Sequence, residues 1–473
     1  MVGPPGSVAG RLRTGSVVAA GLSGDYWRFW WASTLSNLGD GLRIVALPLL
    51  AVSLTRDPLL ISGVTAVTFL PWLLIGPISG AIVDRVDRRK LLIGVQLARG
   101  TVAAGFTLTV ATGTVTIVLL YLTAAAIAVG ETLADAAAQA AVPQLAAADR
   151  LEVANGHLVT GQIATNEIIG APLGAALFAV SASAPFLLDS VTYLAAALLV
   201  WLVATELRPR PELEASGSAL PRLRTDVIEG IRYVFSHQLL RPLAISAGIA
   251  NFGAAATGAV LVLFVIETLQ LSEFGFGILV GIAAAGGLLG ASIAGQIVAW
   301  IHRRTAMVGS LAVSACTMLI LGLTGDSIVV GAMLFATSAS GSAYNVVARS
   351  LRQAIPPARL LGRTISSARL VGLGAAPIGA IVGGVLARTA GLRAPFYLSA
   401  AVLTVAMLLL HRTLQADRID HAIAANRGLD ASPPTEVEPV TTYDDLDIRR
   451  NPGLKPPTAL GNPARAQTSA TDP

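Results

Sequence analysis

Charge is what this chain has least of. Asp, Glu, Lys and Arg make up 13% of its 473 residues, while 54% are hydrophobic. A soluble domain carries about 25% charged residues. So little polar surface cannot cover so much apolar bulk in water, and lipid must cover much of it. This excludes a water-soluble module and defines the class, a polytopic membrane protein. Lysine is nearly absent, with only Lys90 and Lys455, so the net charge of +5 rests on arginine. The arginines recur at intervals between apolar segments instead of forming the single patch a nucleic acid would require. The one cysteine, Cys316, lies in an apolar run and excludes an intramolecular disulfide and a cysteine-rich metal site. His157 stands alone at the start of an apolar segment, which is no metal site. The Gly-rich run "GILVGIAAAGGLLGASIAG" (277–295) has no following lysine and so is no phosphate loop. Its small residues at fourfold spacing permit close helix contact instead. No dinucleotide fingerprint and no nucleophile beside a base is present, which argues against an enzyme. The apolar run before Asp25 is too weak for a cleaved signal peptide.

What is present is a series of apolar runs, each long enough to cross a bilayer, which takes about 20 residues. Spans are predicted at 29–54, 59–83, 91–111, 115–138, 155–180 and 184–204, then at 241–268, 274–300, 304–324, 327–348, 363–387 and 393–412. The domain plan is an N-terminal tail (1–27), a six-helix bundle (28–204), a polar central loop (205–240), a second bundle (241–412) and a disordered tail (413–473). That tail has no apolar periodicity with which to offset its ordering entropy. Loops after spans 2, 4, 6, 8 and 10 hold most of the arginine, so they and both termini are expected in the cytoplasm. The halves repeat. "APLGA" (171–175) returns as "APIGA" (376–380), and "APFLLDSVTYLAAALL" (184–199) returns as "APFYLSAAVLTVAMLL" (394–409). Parallel six-span repeats place a substrate site near the bilayer midplane between the halves.

Acids inside spans are the sharpest chemical signal, since a central charge costs about 2.5–3.5 kcal/mol on insertion scales. Asp40 and Arg43 fall three residues apart on one face of span 1, and Glu131 and Asp135 four apart on span 4. Glu167 lies mid-way along span 5 beside Asn166. Asp40, Glu131 and Glu167 are the candidates for binding and releasing a proton, because burial and a neighbouring carboxylate both raise an acid's affinity for it. The alternative is a static Asp40–Arg43 ion pair, with Asp135 at the cytoplasmic interface. Glu267, at the outer end of span 7, can snorkel to water. Asn166, Asn251 and Asn345 are candidates for hydrogen bonds to substrate or to neighbouring helices. Tyr344 and Phe264 are among the aromatics able to stack on a ligand.

Six of the seven residues from Asp84 to Lys90 in "GAIVDRVDRRK" are charged, and topology explains the arginines better than the acids. The stretch resembles the loop motif between spans 2 and 3 of the major facilitator superfamily. Gly80, Asp84, Arg85, Arg88 and Arg89 fill its places, and Asp87 stands where the motif has glycine; the sequence gives Asp87 no role. With "SNLGDGL" (36–42), "AVPQL" (141–145) and "RLEVANG" (150–156), the chain resembles the branch of macrolide efflux proteins and the enterobactin exporter. The resemblance implies an all-α fold of two six-helix bundles in the cell inner membrane. It also implies export of small amphipathic molecules by a monomer, driven by the proton gradient without a cofactor. It gives Asp84 a latching role at the start of span 11, which would favour the outward-open state. Pro172, Gly174, Pro377 and Gly379 would be close-packing positions, although the antiporter pattern of span 5 survives only in part. A dedicated siderophore or lipid exporter is an alternative, and a non-transporting receptor is another, supported only by the C-terminal tail.

Overall fold

A computed structural model of the chain describes residues 22–207, 219–356 and 358–414. Most of the N-terminal tail and nearly all of the C-terminal one lie outside the described residues. The first half comprises α1 (Gly24–Leu54), α2 (Pro58–Leu74), α3 (Gly76–Val83), α4 (Arg88–Ala111), α5 (Ile117–Leu145), α6 (Leu151–Gln162), α7 (Ala171–Val180) and α8 (Ala184–Trp201). Then come α9 (Ala219–Ser236) and the second half, α10 (Leu240–Leu263), α11 (Glu273–Trp300), α12 (Arg303–Leu323), α13 (Ser327–Ala354), α14 (Ala358–Ala390) and α15 (Ala394–Thr413). Helices begin where the sequence offers a cap. Ser23, Asp57, Asp87, Thr116, Ser272 and Asp326 each accept a main-chain N–H from the following turn. Proline takes an early position in α2, α8 and α15, where its missing N–H leaves nothing unpaired.

Among the described residues eleven helical stretches are long and apolar enough to cross a membrane. The twelfth crossing, expected as one span over 59–83, is made in two pieces that break at Ile75. Pro71 and Pro77 remove two donors from one short stretch, and the chain restarts with Ile78 and Ser79 both bonding the Ile75 carbonyl. The central loop is not wholly irregular, because residues 219–236 form α9. This helix turns Val234 into the core and leaves Ile228 half exposed, the pattern of an amphipathic surface helix. The first span starts before residue 29, because the Asp25 carboxylate ties α1 to Ala204 and Thr205 just past α8.

Span 5 is continuous from α6 to α7 through a π-helical segment, Ile163–Gly170. There the chain lies so close to α1 that a Cβ on Gly41 would collide with the Asn166 backbone. Next to it, Gly174 lies against the Leu42 backbone. In the second half Gly379, on α14, lies in the same way against the Phe252 backbone of α10. Pro172 and Pro377 each precede such a glycine by two residues.

The halves meet at the end of the molecule bearing the 55–57 loop. There Asp57 pairs with Arg388 at 3.4 Å and Arg56 with Glu267 at 3.6 Å. Gly384 abuts Ser62, and Gly277 abuts Ala175, with no room for a Cβ at either glycine. Helix α2 thus packs on α10 and α14, and α7 on α11.

Candidate functional site

Four helices of the first half bring ionisable groups into one buried space. On α1, one turn separates Asp40 from Arg43, and an Arg43 Nη2 donates to Asp40 at 2.9 Å and to Glu131, on α5, at 2.7 Å. From α4, Arg99 donates to the same Asp40 oxygen, and to the hydroxyls of Tyr193 at 2.9 Å and Ser36 at 3.1 Å. Tyr193, on α8, donates in turn to Asp40 at 2.8 Å, and its ring lies 4.0 Å beneath the Arg99 guanidinium. Room for the Arg99 side chain comes from Gly130 on α5, where a Cβ would strike its methylenes. Asp189, one turn before Tyr193, completes the cluster. It is 1% exposed, and its carboxylate rests against Gly39 of α1.

The cluster therefore brings together Asp40, Arg43 and Glu131, the intramembrane charges singled out from sequence. The Asp40–Arg43 pair is part of a larger network. Asp135 is half-buried one turn further along α5. Glu167 is carried on the π segment, but its side chain lies outside the described residues; Glu267 pairs with Arg56. Arg99, Asp189 and Tyr193 escaped the sequence reading. Their signal was present, since "QLARGTV" and "FLLDSVTY" each place a charge inside an apolar run.

A cavity of about 420 Å³ lies between the halves, lined mainly from the second. Ile44, Asn166 and Ala171 supply its wall on one side. Asn251, Tyr344 and Asn345 stand on the other among apolar residues and five serines and threonines, Ser314, Thr337, Ser338, Ser342 and Ser399. The three asparagines selected from sequence thus converge on one space. No charged side chain lines it among the described residues. The Asn166 Oδ1 is buried there without a hydrogen-bond partner among those residues. Tyr344 bonds Ser246 through its hydroxyl at 2.7 Å, while Phe264 is buried against Phe396 and does not line this cavity.

The motif loop has a structural role of its own. Asp87 caps α4 by accepting from Arg89 N at 2.9 Å and Lys90 N at 3.2 Å, which accounts for an acid at the glycine position. The Arg88 N–H bonds Leu207 O at 3.0 Å, and the Arg89 guanidinium bonds Trp201 O at the end of α8. These bonds hold the loop on the first half. Asp84, half exposed, pairs at 3.7 Å with Arg88 of its own loop. Arg85 is exposed, and around Gly80 a Cβ would meet open space.

Two parallel six-helix halves, a cavity between them and buried charge in one define a membrane transporter of the major facilitator fold. The family model for transmembrane secretion effectors, within the major facilitator superfamily, matches residues 18–438, and the chain belongs to that family. It is 25% identical over 359 residues to an uncharacterized MFS-type transporter of Sinorhizobium fredii, covering 75% of this chain and 86% of that protein. A counterpart in Mycobacterium tuberculosis is 40% identical over 84 residues, or 17% of this chain; the match spans only 19% of that relative's length. Among solved structures, the nucleoside transporter NupG superposes with a TM-score of 0.68 at 9% identity, covering 83% of this chain and 100% of that one. A bacterial homologue of the iron transporter ferroportin in its inward-facing state gives 0.64 at 17% identity, with 82% and 98% covered; its outward-facing state gives 0.55. These likenesses concern the fold. The relatives are transporters and not enzymes.

Proposed function

We propose that the protein exports small amphipathic molecules, of the multidrug or macrolide kind, across the cell inner membrane by proton-coupled alternating access. The observation that carries this reading is an adjacency on α1. Arg43 belongs to the charge cluster and Ile44, the next residue, to the cavity wall. A change of charge on one side of the helix therefore acts on the helix that shapes the other. The cavity suits an amphipathic ligand, with largely apolar walls and a few amide and hydroxyl side chains able to bond carbonyls or hydroxyls. Among the described residues the cavity offers no counter-ion, which favours an uncharged recognised part of the substrate.

Direction and state follow the same logic. The arginine-rich loops argue that the DRVDRRK end faces the cytoplasm, with both termini. The halves converge at the opposite end, so the cavity is read as open inwards, ready to load from the cell. Asp84 pairs here with Arg88 of its own loop, and its closing on the other half belongs to the outward-open state. Protons reach the cluster through Glu131, the most exposed of its acids. Rocking of the two bundles about the cavity completes the cycle.

The test is transport of amphipathic dyes and macrolides in proteoliposomes with an imposed pH gradient. Gradient-driven uptake is expected in the wild type and should collapse in Asp40→Asn and in Glu131→Gln. If both variants keep full gradient-driven transport, this assignment of coupling fails.

A further inference from the structure

The internal repeat pairs Asp189 with Ser399, since "APFLLDSVTYL" and "APFYLSAAVLT" align residue for residue. The structure preserves the correspondence. Both side chains are almost wholly buried, and each lies against a glycine of the first long helix of its own half, Gly39 for Asp189 and Gly253 for Ser399. Each carries side-chain oxygen with no hydrogen-bond partner among the described residues. Their surroundings differ. Around Ser399 the second half is hollow, and Ser399 and Ala254 line the cavity. Around Asp189 the equivalent volume is filled by Asp40, which follows Gly39 as Ala254 follows Gly253, and by the groups that Asp40 gathers. One copy of the repeat has become a binding cavity and the other a store of charge.

That store does not balance. The groups around Asp189 are Asp40 and Arg43 from α1, Arg99 from α4 and Tyr193 from its own helix, and Glu131 from α5 joins them through Arg43. Arg43 and Arg99 are both held by Asp40, and Arg43 also by Glu131. Three carboxylates therefore face two guanidinium groups. The surplus acid is Asp189, which meets neither arginine in an ion pair among the described residues. An ionised carboxylate so buried and without a donor takes up a proton instead.

We propose that Asp189 is the proton-carrying carboxylate of the first half, with Asp40 the fixed anchor of the two arginines and Glu131 the route from water. On loading, one proton passes from water to an Asp189 oxygen and gives the neutral acid. On release that proton returns to water, and the restored carboxylate turns to Arg43 and Arg99. The Gly39 contact, which has no Cβ to obstruct it, lets α1 and α8 shift between the two conditions. The proposal rests on the proton-coupled reading above only in naming the carried proton as the coupling proton.

The experiment is a pH titration of the purified protein in lipid nanodiscs, followed by infrared difference spectroscopy. A carbonyl band of a protonated carboxylic acid is expected. It should titrate in the wild type, shift when aspartate is isotopically labelled, and disappear in Asp189→Asn. It should move without disappearing in Asp189→Glu, and survive in Glu131→Gln. The labelled wild type keeps the test open if a variant fails to fold. Persistence of the band in Asp189→Asn, a shift with labelled glutamate instead of aspartate, or absence of any titrating band overturns the proposal. No substrate is needed, so failure of gradient-driven transport in the wild type would sink the coupling and leave protonation of Asp189 standing on its infrared band.

Discussion

Replacing Asp40 by Asn keeps the shape of the side chain and removes its charge. One Asp40 oxygen accepts from Arg43 at 2.9 Å, from Tyr193 at 2.8 Å and from Arg99. In the variant, Arg43 retains Glu131, while Arg99 retains only the hydroxyls of Ser36 and Tyr193. Hydrogen bonds to charged groups contribute about 1.5–3 kcal/mol each. Three of them would sum to about 9 kcal/mol at most, which overshoots because the amide oxygen still accepts a hydrogen bond. Helices separated within lipid also find other partners, and cross-helix bonds there average about 0.6 kcal/mol. Removing one partner of a buried pair typically costs about 3–5 kcal/mol, so the expected loss is at the lower end, about 3 kcal/mol. That is about a hundredfold in the folding equilibrium. Equilibrium unfolding in mixed micelles, followed by the fluorescence of the six tryptophans, measures it. Adding Arg99→Gln should recover about half of the loss, because the stranded cation is then gone. A loss below about 1 kcal/mol, or additive effects in the double variant, would refute Asp40 as the anchor.

Asp87→Ala should lower stability by about 0.5–2 kcal/mol through loss of the α4 cap, with transport per folded molecule unchanged; thermal unfolding beside a transport assay reads both. Gly277→Leu should wedge α11 from Ala175 and shift the protein away from the conformation described here, which spin-label distances between the halves would report as a new population. Asn251→Leu and Asn345→Leu should raise the KM for macrolides rich in hydroxyl and carbonyl groups several-fold, since one lost hydrogen bond is worth about 1 kcal/mol, while changing the KM for purely apolar dyes little. His237, in the turn before α10, accepts the N–H groups of Leu239 and Leu240 at Nδ1, and burial pushes its pKa below the ordinary 6.5. The unfolded chain therefore binds the proton first, so this stabilisation is complete above pH 6.5 and is lost as pH falls through and below it. The acid-side slope of the melting temperature should flatten in His237→Asn.

Much of the architecture was legible because hydropathy reports length directly, and length is what a bilayer selects. The repeat fixed the parallel arrangement of the halves, and Asp40, Arg43 and Glu131 were visible as charges where lipid penalises them. The break at Ile75 was less visible, since Pro71 and Pro77 lie in a run that hydropathy reads as continuous. Helix α9 was hidden by its own composition, for an amphipathic surface helix scores as a polar loop. Arg99 and Asp189 each stand alone in an apolar run, with no second charge within a turn on the same helical face to mark them. Arg99 meets Asp40 from 59 residues away and Tyr193 meets it from 153, and only folding brings Asp189 to them. Asp87 was readable in principle, as an acid placed just before a helix start.

The two ion pairs at the closed end, Asp57–Arg388 and Arg56–Glu267, join partly exposed side chains. Such pairs contribute about 0–1 kcal/mol each and weaken as salt rises. These two pairs alone cannot trap the molecule, since about 1.4 kcal/mol changes a two-state ratio only tenfold, and the helix packing beside them carries the rest of the contact. Ionic strength on that face thus becomes a throttle on turnover, with brine loosening the clasp and dilute medium tightening it.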